Sequence, residues 1–278
     1  MARRLRLLPL ALSGHPQGEM PRGALACGQN PTATNRRSLI QIAALVALVL
    51  PIAAQSALGP PRRQPADRQV VHEALLGRSL LGRPIAIFER GDPTAARRVL
   101  VVGSIHGNET AGIAVANRLR SAPLPPGLDL WVIPSANPDG VARGTRTNGR
   151  GVDLNRNFAW RWRPIARRGD LHYSGTGPLS EPETRLLVRT IDRLRPDVTI
   201  WFHQPVGVVD ASGGDLAVER RFADAAGMRV FRLPRYPGGV TNWQNANFPG
   251  TTAFVVELPA GRIAPVRAVQ LAQAVVAE

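Results

Sequence analysis

Apolar residues along this chain fall into short bounded runs of two kinds. Val99-Leu100-Val101-Val102, Leu128 to Pro134, Asp197 to His203 and Phe254 to Pro259 are mostly apolar stretches of strand length, the pattern of strands buried on both faces. Between them, Thr110 to Arg120 and Ser180 to Leu194 carry helical spacing, and Ser180 with Glu183 reads as a capping box opening the second helix. Gly77 to Phe88 predicts a hairpin turning near Leu81-Gly82, and Asn137-Pro138-Asp139-Gly140 is a turn signal after a strand. Alternating strands and helices predict an α/β fold: a mixed, mainly parallel sheet sandwiched by helices. There is no internal repeat.

This regularity begins only after about residue 69, which sets the domain count. The 278 residues, 44% of them hydrophobic, hold one α/β domain over residues 70–278 and leave no room for a second sizeable one. Residues 58–69 read as a Pro/Arg/Gln linker and residues 1–57 as an N-terminal extension and signal peptide. Arginines at 36 and 37 precede an uncharged stretch, Ser38 to Pro61, and the apolar core Leu39 to Ala54 is followed by Gln55-Ser56-Ala57, the three regions of a secretory signal. Arg36-Arg37-Ser38-Leu39 also admits a twin-arginine route. A retained anchor is the alternative, since the stretch approaches the ~20 residues that span a bilayer. Pro51 and the small residues after it favour cleavage, so the membrane is met only transiently and the product is secreted or held in the cell envelope.

Charge and cysteine narrow the classes further. The 35 basic residues are all arginine, which with abundant alanine, glycine and proline reads as coding bias. The net charge of +15 is therefore a poor argument for nucleic acid, and none is expected as a partner. Without residues 1–57 the chain loses six arginines and one glutamate, leaving 29 basic against 19 acidic residues, a net +10 that would draw an exported enzyme to an anionic envelope. The one cysteine, Cys27, lies before the apolar core, so a processed chain has none. Thiol catalysis, cysteine zinc ligands and disulfides are excluded together.

The candidate chemistry sits where the strands stop. Val99-Val102 ends at Gly103-Ser104-Ile105-His106-Gly107-Asn108-Glu109-Thr110, delivering an imidazole and a carboxylate to the carboxyl end of a strand, where α/β sheets build their sites. If Glu109 opens the helix, His106 and Glu109, three apart, share a face and can converge on one cation. Nitrogen and oxygen ligands suit zinc, and a catalytic zinc takes one more protein ligand and keeps an open position. Alone, the pair is equally a turn histidine beside a carboxylate that complements a helix dipole. Two later strands answer it, one ending on His203 and one carrying Glu257, a carboxylate too expensive to bury among apolar residues without a partner or a task. Between them, Arg146 to Phe158 is a loop dense in arginine and asparagine.

In order, His106-x-x-Glu109, Arg146, Asp153-Leu154-Asn155-Arg156-Asn157, His203 and Glu257 resemble the zinc carboxypeptidases of the M14 type, especially short bacterial members acting on murein peptides. Asn137-Pro138-Asp139-Gly140, Tyr173-Ser174-Gly175 and Ser180-Glu181-Pro182-Glu183-Thr184 are further echoes, and the resemblance runs from about Gly77 to Ala274. It implies a zinc carboxypeptidase-like α/β/α fold and one Zn2+ per chain, held by His106, Glu109 and His203. It implies Glu257 as general base, Arg146 as oxyanion stabiliser, and Asp153 as the carboxylate that fixes the tautomer of His106. Asn155 and Arg156 match the pair that binds a substrate's free carboxylate, and Tyr236 resembles the tyrosine that swings over bound substrate.

The sequence departs from the digestive enzymes of that type at Asn108, where they carry an arginine for upstream peptide residues. Thr241-Asn242 lies where the side-chain pocket is set, and no acidic residue occurs in Gly238 to Asn247, so a pocket for lysine or arginine is not supported. Trp160-Arg161-Trp162-Arg163 is read as a surface loop near the cleft rather than a stacking platform for nucleic acid, and His172 as structural. The expected function is a secreted zinc metallocarboxypeptidase hydrolysing an amide next to a free carboxylate, with cell-wall stem peptides as the candidate substrate. The alternatives are a zinc N-acyl amino-acid deacylase, resembling aspartoacylase and succinylglutamate desuccinylase, and a catalytically silent wall-binding module.

Overall fold

In the computed structural model, which describes residues 71–278, the hairpin forms as expected: β1 (His72–Arg78) and β2 (Pro84–Gly91) pair antiparallel around a turn closed by the Gly82 N–H on Ser79 O at 2.9 Å. The expected signal segment and linker, and Cys27 with them, lie outside the described residues. Strands β3 (Arg97–Val102), β4 (Leu128–Ile133), β5 (Val198–His203) and β8 (Thr252–Pro259) form the parallel centre of the sheet. β6 (Val206–Asp210) runs antiparallel to β8, and the short β7 (Arg229–Phe231) completes the order β1-β2-β4-β3-β5-β8-β6-β7. Mixed and mainly parallel, the sheet is the one the alternation predicted.

Two apolar cores lie on its faces. On one, Val99, Val101, Phe202, Phe254 and Val256 pack with residues of α1 (Ala111–Leu119), α4 (Leu216–Ala226) and α6 (Pro265–Val276). On the other, Leu100, Val102, Trp201 and Val255 meet α3 (Pro182–Leu194), α5 (Val240–Asn247) and the loop carrying Leu154 and Phe158. Each fully buried side chain of this size contributes about 1.5–3 kcal/mol. Because strand side chains alternate, Phe202 goes to the first core while Trp201 and His203 share the second face.

Two local expectations are corrected. Asn137-Pro138-Asp139-Gly140 does not merely end a strand; it starts α2 (Pro138–Arg143), with the Asn137 side chain accepting the Gly140 N–H at 2.9 Å and Pro138 in the first turn. The capping box does not form either. Glu181 is the N-cap of α3, the Ser180 hydroxyl donates to Glu181 at 2.8 Å, and Glu183 instead accepts the Leu80 N–H at 2.8 Å and the Asn148 amide at 3.1 Å. A tertiary demand on Glu183 overrides the local motif.

Glu219 of α4 is buried, with Oε1 accepting the Ser212 N–H at 2.8 Å. Burial pushes its carboxyl up from the usual 4.5 to about 7, the Ser212 N–H pulls it back, and the Asp210 charge raises it again. The folded chain thus holds this proton more tightly than the unfolded one, so the stability it contributes is complete below about pH 4.5 and lost as pH rises through about 7. The melting temperature is expected to fall more steeply between about pH 5 and 8 in the wild type than in Glu219→Gln. Parallel pH profiles of the two proteins would contradict this.

Candidate metal centre and substrate cleft

β3 and β5 are neighbours, and each brings a histidine to the same edge of the sheet. His203 is the last residue of β5; His106 follows β3 in a tight turn, where the Ser104 hydroxyl donates to His106 O at 2.7 Å and the Glu109 N–H to the same oxygen at 3.0 Å. Gly107 is required in this turn, since a Cβ there would lie 1.9 Å from the Gly140 carbonyl carbon. Glu109 precedes the Thr110 N-cap of α1, so it stands outside the helix rather than in its first turn. The turn, not a shared helical face, returns its carboxylate to His106.

Here three acceptors face one point. His106 Nδ1 lies 2.9 Å from Glu109 Oε1, His203 Nδ1 lies 3.0 Å from Glu109 Oε2, and the two Nδ1 atoms are 3.1 Å apart. Candidate ligand atoms of the three residues all fall within 4.8 Å of one another, and all three side chains are buried. Asp153 Oδ1, 3.0 Å from His106 Nε2, places the ring proton there and leaves the Nδ1 lone pair facing Glu109 and His203. Two imidazole nitrogens and a carboxylate, converging with one ring already committed to this tautomer, are a donor set that fits zinc.

The surrounding charges follow. Burial opposes charge on His106, but Asp153 and then Glu109 outweigh it and raise its pKa. Burial would raise the Glu109 and Asp153 carboxyls, yet both are held well below the usual range, in each case chiefly by His106. Arg146 bridges the pair, NH1 donating to Glu109 at 2.9 Å and Nε to Asp153 at 3.0 Å. Glu257 stands directly across from His203 in the β5–β8 register, and its Oε2 is buried without a hydrogen-bond partner. Burial pushes its pKa up, His203 opposes the shift, and Glu109 adds to it.

A second group adjoins the first through Asp153. The same Oδ1 that meets His106 accepts the Asn155 N–H at 2.9 Å, opening a 3₁₀ turn over Leu154–Arg156. Asn155 Oδ1 accepts the Val240 N–H at 2.9 Å, leaving its NH2 as donor. Arg156 is buried, its NH1 donates to Asn155 O at 2.8 Å, its Nε has no partner, and among the described residues no carboxylate pairs with it. Burial lowers its pKa, with Asp153 opposing. Tyr236, half exposed, lays its ring 4.4 Å from the Arg156 guanidinium. Gly238, at φ +73°, lets its loop approach so closely that a Cβ would lie 2.0 Å from Arg156 O.

All nine candidate residues therefore gather at one edge of the sheet. Sequence reasoning missed three supports. Asn137 ties the histidine turn to Arg146, its Nδ2 donating to Ile105 O at 3.1 Å and Arg146 O at 3.2 Å. Gln204 donates its N–H to Glu109 at 3.1 Å and accepts the Ala111 N–H at 3.0 Å; its place beside His203 was the available signal. His172 is half exposed, with Nδ1 3.4 Å from Asp153 Oδ2, and no spacing points to that contact. Trp162 Nε1 donates to Ser174 O at 3.2 Å, and Trp160 O accepts the Gly238 N–H at 2.8 Å, so this loop braces the cleft.

Comparison with known proteins gives a consistent picture. A model of the zinc carboxypeptidase family M14 matches residues 64–209, just over half of the 278 residues. Murein peptide amidase A of Escherichia coli (strain K12) is 34% identical over 146 residues, 48% of this chain and 60% of its own length. Its namesake from Vibrio campbellii (strain ATCC BAA-1116) is 36% identical over 146 residues, 48% of this chain and 58% of its own. The chain thus spans about three fifths of the length of these curated relatives. Among solved structures, the murein-tripeptide amidase of Escherichia coli O157 superposes with TM-score 0.57 at 26% identity, covering 73% of this chain and 91% of that one. Carboxypeptidase A of Helicoverpa armigera gives TM-score 0.62 at 20% identity over 74% and 66%, a likeness of fold.

Proposed function

The chain belongs to the zinc carboxypeptidase family M14, and on that premise we propose that it hydrolyses an amide bond next to a free carboxylate in peptides, with murein stem peptides as the substrate class. The names of its relatives support the murein assignment. The observation that carries the carboxylate is Arg156, a buried guanidinium with an unpartnered Nε beside the histidine cluster. Such a cation is stabilised by an anionic ligand that takes its planar fork.

In this reading His106, Glu109 and His203 would hold one Zn2+. Zinc bound by them would supply Lewis-acid polarisation of the scissile carbonyl and a water whose pKa is lowered to about 7. Glu257 Oε2 takes the proton of the attacking water and returns it to the leaving nitrogen. Arg146 donates to the developing oxyanion, and Asp153 keeps His106 in the tautomer whose Nδ1 can bind a cation. Asn155 NH2 and Arg156 hold the substrate carboxylate, while Tyr236 closes over it. Export through Leu39 to Ala54 would put the enzyme where such peptides are.

The test is a mass-spectrometric product profile of zinc-loaded protein, from Leu58 onward, against muropeptides, ordinary peptides and N-acyl amino acids. Release of a residue from muropeptides is expected, together with a native N-terminus near Ala57. Cleavage confined to acyl amino acids would sink the reading in favour of a deacylase, and zinc-bound silence in all three pools would favour the binding module.

A further inference from the structure

β6 and β8 carry the cleft's chemistry one strand further than the candidate residues. Val208 lies opposite Glu257 and Val209 opposite Val256. Val209 and Val256 both enter the core beneath α4 and α6. By alternation Asp210, the last residue of β6, therefore stands on the other face, the one bearing Glu257 and Val255. It is one strand over from Glu257 and two residues deeper.

Asp210 is buried and fully engaged: Oδ1 accepts the Leu233 N–H at 2.8 Å, and Oδ2 accepts the Ser212 hydroxyl at 2.8 Å and Arg235 NH1 at 2.7 Å. Arg235 NH1 also donates to Leu233 O at 3.3 Å and NH2 to Ala211 O. The pair is lopsided, since the Arg235 side chain keeps 22% of its exposure and that of Asp210 only 4%. What the pair offers to a ligand is the arginine. Those bonds occupy three of its five N–H groups and leave Nε–H with one NH2 hydrogen, an edge that matches a carboxylate bidentately. Arg235 is followed at once by Tyr236, whose ring lies against Arg156.

We propose that Arg235, held in place by Asp210, is a specificity-determining residue: it binds a second carboxylate, at the end of the side chain of the substrate residue whose free carboxylate Arg156 holds. This rests on the peptidase reading above. No acidic residue occurs from Gly238 to Asn247 to repel such a side chain.

The test compares zinc-loaded protein on N-acetyl dipeptides ending in glutamate, 2-aminoadipate, glutamine, leucine and lysine. The better acidic end is expected to exceed glutamine at least tenfold in kcat/KM, mainly through KM. In Arg235→Met that ratio should collapse to one or below, with lysine gaining because Asp210 is left unneutralised; Arg235→Lys should restore part of the preference. Binding of the same peptides to Glu257→Gln, by calorimetry, separates this inference from the peptidase reading. If nothing is hydrolysed but the acidic ends still bind at least tenfold tighter than glutamine, the reaction class fails and the Arg235 site stands. Equal binding of acidic and neutral ends, or no binding of either, would overturn it. Should Arg235→Met fail to fold, Arg235→Lys and the wild-type preference still decide.

Discussion

Glu257→Gln is expected to keep its zinc and lose about 10²–10⁴-fold in kcat, the range a general base supplies. The substitution is nearly isosteric, and Glu257 is not among the three groups that converge on the cation. Its Oε2 is buried with no hydrogen-bond partner, so the change breaks no bond made by that atom. What it removes is a proton acceptor directly across the strand pair from His203. Burial has already raised the affinity of this carboxylate for a proton, which suits a base that must take one and give it back. KM should change little, because Arg156 and Asn155 rather than Glu257 are assigned the substrate carboxylate. Metal content by plasma mass spectrometry and steady-state rates on a cleaved muropeptide check both halves. A variant with full zinc and kcat within threefold of wild type would take the base role from Glu257.

Where the sequence was legible, one physical signal sufficed. A continuous apolar run such as Val99 to Val102 cannot be an exposed strand, so the parallel centre of the sheet and the edge where His106 and His203 end up followed from hydrophobicity alone. The second half of the sheet was harder. β6 alternates weakly, β7 has three residues, and α5 carries Asn and Gln on nearly every turn; these elements are held by contacts such as Gln244 Nε2 to Thr199 Oγ1 at 2.6 Å rather than by a pattern. The capping box at Ser180 failed because Glu183 was claimed by Leu80 and Asn148, residues distant in the chain. The ligand set was readable as residue types, but the geometry that unites it was not. Glu109 reaches His106 through a turn, and the charge of the cleft beyond Glu257 comes from Asp210 and Arg235, which share no motif with the other residues.

His203→Ala should abolish activity for a different reason, by emptying the site. Two ligands, His106 and Glu109, would remain, and Glu109 Oε1 would stay shared between His106 Nδ1 and Arg146 NH1, each at 2.9 Å. A guanidinium competing for the same carboxylate disfavours a cation there, so the lost affinity should exceed the 10–100-fold that an outer partner of a ligand is worth. Removing His203 should not unfold the apo protein. The residue sits at the carboxyl end of β5, its Nε2 has no partner and its Nδ1 meets only Glu109 and His106 of the same cluster, and the apolar packing of Trp201 and Phe202 before it is untouched. The two effects separate in a melting experiment. Without metal, wild type and variant should melt within a few degrees of each other. Zinc at about 1,000 times its dissociation constant stabilises a binding-competent fold by about 4 kcal/mol, so the wild type should shift upward and the variant should not. One zinc retained per variant chain, with the same shift, would remove His203 from the metal centre and leave the convergence of the two Nδ1 atoms at 3.1 Å without a function.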